Sequence, residues 1–258
     1  MSTRTPPMPS EFADELSDRL LMIAREVIGE NLEAMIVKGS AVKGDFIPYF
    51  SDFDVHLFLS DSVMRGPLTP AQSIVIRFQE LFSSIDVEAF QVSQVQVMMI
   101  SADRYPPDWI PALPGSYRLV HGDLPASLPM VTVEMVRTHA FEGLPRYEQW
   151  IDTLLARIVD KPDHQLADNV RLVGTLLKAA LYEAAIVLGS PPLETWERSL
   201  NDILHEVEPQ VLPERTASRY FDRARRWRDV CNHGAELRPM LADGLTALDA
   251  LARISKNR

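Results

Sequence analysis

Two short apolar segments that carry unusual polar residues constrain the possible fold of this chain more than any other feature. The first, Met35-Ile-Val-Lys-Gly39-Ser40, is typical of a buried strand followed by a glycine at which the backbone turns sharply. After an eleven-residue gap, Asp52-Phe-Asp54 opens a second strand that runs to Leu59. Residues at positions i and i+2 of a strand share one face, so we expect Asp52 and Asp54 to lie side by side while the residues between and after them face the core.

This pattern predicts a site for a metal ion and phosphate. Two carboxylates on one face repel each other unless a cation lies between them, and hard oxygen ligands suit Mg²⁺ that also binds phosphate oxygens. The bare backbone N–H of Gly39 and the hydroxyl of Ser40 are suited to a phosphate group. The alternative is that Ser51-Asp-Phe-Asp54 forms only a loop and a polar strand edge.

The same residues resemble a known signature. Gly39-Ser40, eleven residues, and then Asp52-Phe-Asp-Val55 are similar to the nucleotidyltransferase motif of the DNA polymerase β-like superfamily. Within it, Gly39-Ser-Ala-Val-Lys-Gly44 resembles the branch that adenylates aminoglycosides. The resemblance covers roughly the first half of the chain. It implies an α+β fold, with an N-terminal nucleotidyltransferase domain (residues 1–128) that carries a small mixed sheet, a C-terminal α-helical bundle (residues 129–258) and an active cleft between the two.

The resemblance also implies an activity. A nucleoside monophosphate, expected to be AMP from ATP, would be transferred with Mg²⁺ to a hydroxyl group of a small molecule such as an aminoglycoside-like compound. Asp52 and Asp54 would be the catalytic metal ligands, and Gly39 and Ser40 would bind the nucleotide phosphates. ATP or another nucleoside triphosphate would be the co-substrate, and the small-molecule acceptor would be the second partner.

The chain departs from this pattern at the third carboxylate that such enzymes usually carry on the next central strand. Ile85–Ile100 is predicted to be rich in β-structure, and its best strand, Val95–Ile100, points Gln96 toward the site or the substrate, although a glutamine cannot act as a base. Glu88, or else Asp86, is expected to supply the carboxylate if the register differs. Otherwise the chain is a slow enzyme, one whose substrate provides its own base, or a nucleotide-binding protein that does not catalyse.

Helical periodicity replaces the strand signals after Pro129. Four segments are each predicted to be a helix or a helix pair: Phe141–Val159, Asp168–Leu188, Leu193–Val207 and Pro213–Ile254. The second is apolar around much of its circumference and is expected to be central in the bundle. By the resemblance, Asp168 matches an acid that meets the amino sugar, and Lys178 matches a basic residue near the triphosphate. A surface lysine is the alternative for Lys178.

The arginines of the helical half allow further interpretations. Arg228-Asp-Val-Cys-Asn-His233 resembles the Arg-x₄-His motif of HEPN ribonucleases, in which arginine and histidine act on an RNA phosphodiester. This makes a toxin–antitoxin component an alternative function. Six arginines between Arg215 and Arg228 form a local basic face, which either binds nucleotide phosphates or pairs with neighbouring acids.

Local patterns predict the remaining elements of the first half. Ser10–Asn31 is predicted to be a helix with one apolar stripe, and Thr69-Pro70 is predicted to start another helix that ends near Ser83. His56 is expected to have a core or supporting role. The proline-rich loop that follows Ser101 contains two aromatic residues that either stack on a ligand or attach the loop to the core: Tyr105 and Trp109.

Composition excludes several classes of protein. The net charge of −10 argues against broad nucleic-acid binding and is compatible with a cationic small substrate. The single cysteine, Cys231, excludes an internal disulfide. The first nine residues are polar and rich in proline, and no apolar run reaches membrane-spanning length. We therefore expect a cytoplasmic monomer or homodimer without membrane contact.

Overall fold

The computed structural model describes residues 6–232 and 234–254 of the chain. Within these residues the contacts define two compact units, residues 6–131 and residues 132–254. The first contains a small mixed sheet with helices, and the second consists of helices. The expected α+β fold class is confirmed.

A four-stranded sheet organises the first unit, in the spatial order β5-β2-β1-β6. Strand β1 pairs in antiparallel fashion with β2 and β6, whereas β2 and β5 are parallel, so the sheet is mixed. A separate two-stranded ribbon joins β3 and β4. The strands are β1 (Leu32–Lys38), β2 (Phe53–Leu59), β3 (Met64–Gly66), β4 (Thr69–Pro70), β5 (Val95–Ser101) and β6 (Tyr117–Gly122).

One face of the sheet is buried by two helices, α1 (Ser10–Ile28) and α3 (Gln72–Phe82). The predicted apolar stripe of α1 is confirmed, because Leu16, Leu20 and Ile23 belong to this core and Val27 packs against it. The sheet contributes to this core the side chains on one face of β1 and β2, which alternate along each strand with residues of the other face. Examples are Met35, Val37, Phe53 and Val55. Between β1 and β2 lies a single helical turn, α2 (Ser40–Lys43).

The opposite face of the sheet carries the other set of alternating residues. Ala34 and Ile36 of β1 pack there with Phe58 of β2, and the loop aromatics Tyr105 and Trp109 cover them. The two aromatic rings are stacked with their centroids 5.2 Å apart. The loop after β5 is therefore attached to the core, as one of the two interpretations of its sequence predicted.

The second unit is a bundle built around α5. Its helices are α4 (Val133–Ile158), α5 (Ala167–Val187), α6 (Pro192–Glu197), α7 (Leu200–Val211), α8 (Thr216–Ala224), α9 (Trp227–Asn232) and α10 (Leu237–Ala252). Helix α5 packs against α4, α6, α7, α8 and α10, and every residue from Ala180 to Val187 is buried. The prediction that this helix is central is confirmed.

Two local predictions are wrong. The segment before β5 is not a strand but contains a short 3₁₀ turn, Glu88–Phe90, because the Asp86 carboxylate accepts a hydrogen bond from the Glu88 backbone N–H (3.1 Å) and favours a turn. Thr69–Pro70 forms β4 instead of a helix start, and α3 begins at Gln72. The segment Leu193–Val207, predicted to be a helix or a helix pair, is the pair α6 and α7, because the Ser199 hydroxyl accepts from the Asp202 N–H and starts a new helix.

Candidate active site

The turn between β1 and α2 depends on Gly39. Its backbone has φ 73° and ψ −150°, a region that is essentially restricted to glycine. A Cβ atom at this position would overlap Oδ2 of Asp54. The two halves of the sequence pattern, separated by eleven residues, therefore meet here, with the Asp54 carboxylate lying directly against the Gly39 backbone. Ser40 is buried and begins the helical turn.

The two aspartates lie at the start of β2. Asp52 precedes the strand and is half-buried, and its Oδ1 accepts a hydrogen bond from the Ser93 hydroxyl at 2.6 Å. Asp54 is within the strand and is also half-buried. It is the cross-strand partner of Lys38 on β1 and of Gln96 on β5. As predicted, the residues that alternate with Asp54 face the helix-covered core.

The loop that precedes Asp52 is attached to the segment before β5. The Ser93 N–H donates to the Ser51 carbonyl at 3.0 Å, and the Phe53 N–H donates to the Gln94 carbonyl at 2.9 Å. The hydroxyl of Ser51 accepts from the Ile47 N–H at 2.9 Å and closes the turn within the loop. These bonds fix the backbone on both sides of Asp52, so its carboxylate is held by the fold and by Ser93 together.

The donor set fits a hard divalent cation such as Mg²⁺. Asp52 and Asp54 offer carboxylate oxygens from one strand start, and the lack of a side chain at Gly39 leaves room for the Asp54 carboxylate. Ser93 orients Asp52 in the way that outer hydrogen-bond partners orient metal ligands. Within residues 6–232 and 234–254, however, no group of three or more acidic, histidine or cysteine side chains could hold a metal ion. Among these described residues, no third acid joins Asp52 and Asp54 in a group that could hold a metal ion.

The position next to the pair on the neighbouring strand is occupied by Gln96. It is paired in register with Asp54 and is exposed. Glu88 lies instead in the exposed 3₁₀ turn before β5, and Asp86 is exposed and bonded to the backbone of that turn. The structure does not bring Glu88 or Asp86 into a three-acid group with the aspartates.

His56, two residues after Asp54, is buried on the same face of β2. Its ring lies 6.3 Å from the Trp109 ring and 6.5 Å from the Phe58 ring, measured between centroids. Burial, together with a smaller effect of the nearby charge of Lys38, lowers the pKa of His56 to about 3. The imidazole is therefore neutral at physiological pH and acts as part of the core beneath the aspartates, as expected.

The two candidate residues of the second unit lie on α5. Asp168 is exposed in the first turn, and its carboxylate pairs with Arg171 at 2.5 Å. Lys178 lies in the middle of the helix and is half-buried. Their assigned contacts with an amino sugar and with a triphosphate remain predictions. Of the ribonuclease motif, Arg228 is exposed on α9, and His233 lies outside the described residues.

Two residues of the first unit were not singled out by the sequence pattern. Ser93 binds Asp52 but is separated from it by forty residues, so no local motif reveals it. Lys38 immediately precedes Gly39 and is paired with Asp54. Its place could have been inferred, because it follows Ala34 and Ile36 in the alternation of β1 and therefore belongs to the face that carries Asp54.

Comparisons with known proteins identify the fold. No protein-family profile matches the chain, and no curated protein matches its sequence. Among solved structures, the chain is similar to spectinomycin adenyltransferase AAD(9) from Enterococcus faecialis, solved with ATP and spectinomycin. The similarity covers 94% of this chain and 98% of the other, with a TM-score of 0.54 and 16% sequence identity. This chain thus has the fold of that adenyltransferase, in agreement with the sequence signature around Gly39 and Asp52.

No helix in the described parts of the chain is both long enough and apolar enough to cross a membrane.

Proposed function

We propose that this protein is a nucleotidyltransferase that moves a nucleoside monophosphate, AMP from ATP, to a hydroxyl group of a small molecule. One observation carries the proposal: the Asp54 carboxylate lies against the Gly39 backbone, so the turn that would bind phosphate and the aspartates that would bind the metal ion are adjacent. The fold shared with an adenyltransferase that was solved with ATP supports the same conclusion.

In this proposal each residue has a defined task. The N–H of Gly39 and the hydroxyl of Ser40 bind the β- and γ-phosphates, and Asp52 and Asp54 hold Mg²⁺. When bound, the metal ion neutralises charge on the phosphates and on the leaving pyrophosphate. The acceptor hydroxyl oxygen then attacks the α-phosphorus and gives up its proton to solvent, the bond from that phosphorus to the bridging oxygen breaks, and pyrophosphate leaves with the bond's electron pair.

An aminoglycoside-like acceptor is the first class to test. The structural neighbour was solved with spectinomycin, and this chain has a net charge of −10, which favours a cationic amino sugar over an anionic acceptor. The assay combines the wild type with ATP, Mg²⁺ and either spectinomycin or a panel of aminoglycosides, and measures pyrophosphate release and the mass of the acceptor. A mass increase equal to one AMP supports the proposal.

A second candidate function has an observation in its favour. Gln96 lies beside Asp54 where a carboxylate base would be useful, and the described residues contain no three-acid group. A nucleotide-binding protein that does not catalyse would bind ATP with Mg²⁺ and release no pyrophosphate with any acceptor. This combination of results would contradict the transferase proposal and favour the second candidate.

The substitution Gln96→Glu tests whether a missing base limits the reaction. A carboxylate beside Asp54 can accept the proton of the attacking hydroxyl, and general-base catalysis typically contributes on the order of 10²–10⁴-fold. We expect pyrophosphate release by Gln96→Glu to exceed the wild-type rate by at least about tenfold with the same acceptor, a lower bound within that range. Gln79→Glu, an exposed change on α3, is the matched control. An equal effect of the two substitutions would show that charge alone is responsible.

A further inference from the structure

We propose that Lys38 is a phosphate-binding residue of the nucleotide site, with its ammonium group contacting the triphosphate beside Asp54. This inference rests on the proposed function. It assigns a role to a residue outside the Gly39-Ser40 turn and the pair of aspartates.

The strand register places Lys38 on the correct face of the sheet. In β1, Met35 and Val37 face the helix-covered core, whereas Ala34 and Ile36 face the opposite side. Lys38 continues this second set. It is paired directly with Asp54 of β2, and directly opposed residues of antiparallel strands have their Cβ atoms about 4.5–5.5 Å apart on the same face.

The charges of the proposed complex require such a group. Asp52 and Asp54 together carry two negative charges, and a single Mg²⁺ only balances them. A bound triphosphate then adds several negative charges that the neutral Gly39 N–H and Ser40 hydroxyl bind without compensating. The half-buried residue Lys38, opposite Asp54, can bring an ammonium group that compensates part of this charge and forms a charge-assisted hydrogen bond with a phosphate oxygen.

The chain order gives the contact a simple geometry. Lys38 is the last residue of β1, Gly39 forms the turn and Ser40 begins α2, so three consecutive residues would approach one triphosphate. Lys38 would contribute its side chain, Gly39 its backbone N–H and Ser40 its hydroxyl. A lysine suits this position because its flexible stem delivers a compact point charge to a phosphate that lies beyond the strand end.

Calorimetric titration of the full-length protein tests the inference. ATP, AMP and tripolyphosphate are titrated with Mg²⁺ into wild type, Lys38→Met, Lys38→Arg and the control Arg77→Met. Arg77 lies on α3, on the helix-covered side of the sheet, and removing its charge matches the change in net charge. Circular dichroism and thermal unfolding establish that each variant is folded, and Lys38→Gln replaces Lys38→Met if the latter does not fold.

Loss of a hydrogen bond to a charged group predicts a dissociation constant for ATP about 10- to 100-fold higher in Lys38→Met. The same loss is expected for tripolyphosphate, a smaller loss for AMP, recovery in Lys38→Arg and no change in Arg77→Met. Wild-type affinity for ATP and tripolyphosphate in Lys38→Met would overturn the role of Lys38 and leave the proposed function intact. Absence of nucleotide binding by the wild type would overturn both.

Discussion

Gly39 meets two requirements, one of backbone conformation and one of space, and substitutions can test them separately. Its backbone conformation is one that side chains rarely adopt, and its missing Cβ leaves the space in which the Asp54 carboxylate lies. Gly29 has a similar conformation, with φ 61° and ψ −133°, but a Cβ atom added there would meet no other atom within 4 Å. The two glycines thus differ mainly in the contact with Asp54.

Comparing Gly39→Ala with Gly29→Ala isolates this contact. We expect both to lose about 1–3 kcal/mol of stability from backbone strain. Only Gly39→Ala should also displace the Asp54 carboxylate and abolish Mg²⁺-dependent nucleotide binding. Thermal unfolding and calorimetric titration measure the two effects separately. Normal Mg²⁺-dependent binding by a folded Gly39→Ala variant would show that the Gly39–Asp54 contact is not part of the site.

At this scale the sequence was informative wherever the relevant residues are close in the chain. Gly39, Asp52 and Asp54 form a motif, and the structure places the Asp54 carboxylate against Gly39. The bond from Ser93 to Asp52 could not be predicted, because it depends on how the segment before β5 pairs with the loop before β2. Spacing within a strand predicts which side chains share a face, but not which distant hydroxyl will reach them.

Among the helices, the contact between α4 and α5 contains a buried carboxyl group. Glu183 of α5 is buried, and its Oε1 accepts a hydrogen bond from the Tyr147 hydroxyl of α4 at 3.2 Å. His139 of α4 lies 3.8 Å from the same carboxyl group, and Gly143 leaves space for its other oxygen, which has no hydrogen-bond partner within the described residues. Burial raises the pKa of Glu183 to about 8, against the opposing effects of the Tyr147 hydrogen bond and the charge of Arg146.

This pKa predicts how stability depends on pH. Between about pH 4.5 and pH 8 the folded protein keeps the proton of Glu183, whereas the unfolded chain has lost it. Folding therefore takes up a proton in this window, and the unfolding free energy falls as pH rises, by at most about 1.4 kcal/mol per pH unit from this group. Below pH 4.5 Glu183 does not change the unfolding free energy, and above pH 8 the full loss of unfolding free energy remains. We expect Glu183→Gln to remove this dependence.

Urea denaturation at pH 5, 6.5 and 8 measures the effect as the difference between wild type and Glu183→Gln. The variant should gain stability relative to wild type as pH rises. Glu142→Gln, an exposed change on α4, serves as the control and should follow the wild-type curve. If wild type and Glu183→Gln keep a constant difference across this range, Glu183 is ionised in the folded protein.

Other elements show where sequence patterns succeed and where they fail. The apolar stripe of α1 and the apolar circumference of α5 predicted their burial, because core packing determines both. Thr69-Pro70 was assigned to a helix start by its residue types. A proline lacks the N–H that a sheet interior needs but fits the edge of a two-stranded ribbon, and the structure uses it there. The secondary structure of short polar segments of this kind is determined by tertiary pairing.

For the molecule as a whole, the distribution of charge agrees with a small-molecule substrate. The arginine-rich segment from Arg215 to Arg228 is largely ion-paired: Arg219 and Arg223 both bind Asp243 of α10, at 2.6 Å and 2.5 Å. Arg225 pairs with Asp222, and Arg226 pairs with Glu236. Of the two interpretations of these arginines, pairing with neighbouring acids is the one that the structure supports. The acidic partners of these arginines offset their positive charge and make this surface less suitable for binding a nucleic-acid backbone.

The central claim is that Asp52 and Asp54 form a metal-dependent nucleotide site with the turn at Gly39. The most direct test is calorimetric titration of ATP into wild type and Asp52→Asn, each with Mg²⁺ and with a chelator. Asparagine keeps the size of the side chain but removes a charged metal ligand, so we expect Asp52→Asn to unfold at nearly the wild-type temperature and to lose the Mg²⁺-dependent part of ATP binding. Identical Mg²⁺-dependent affinity in the two proteins would contradict the account.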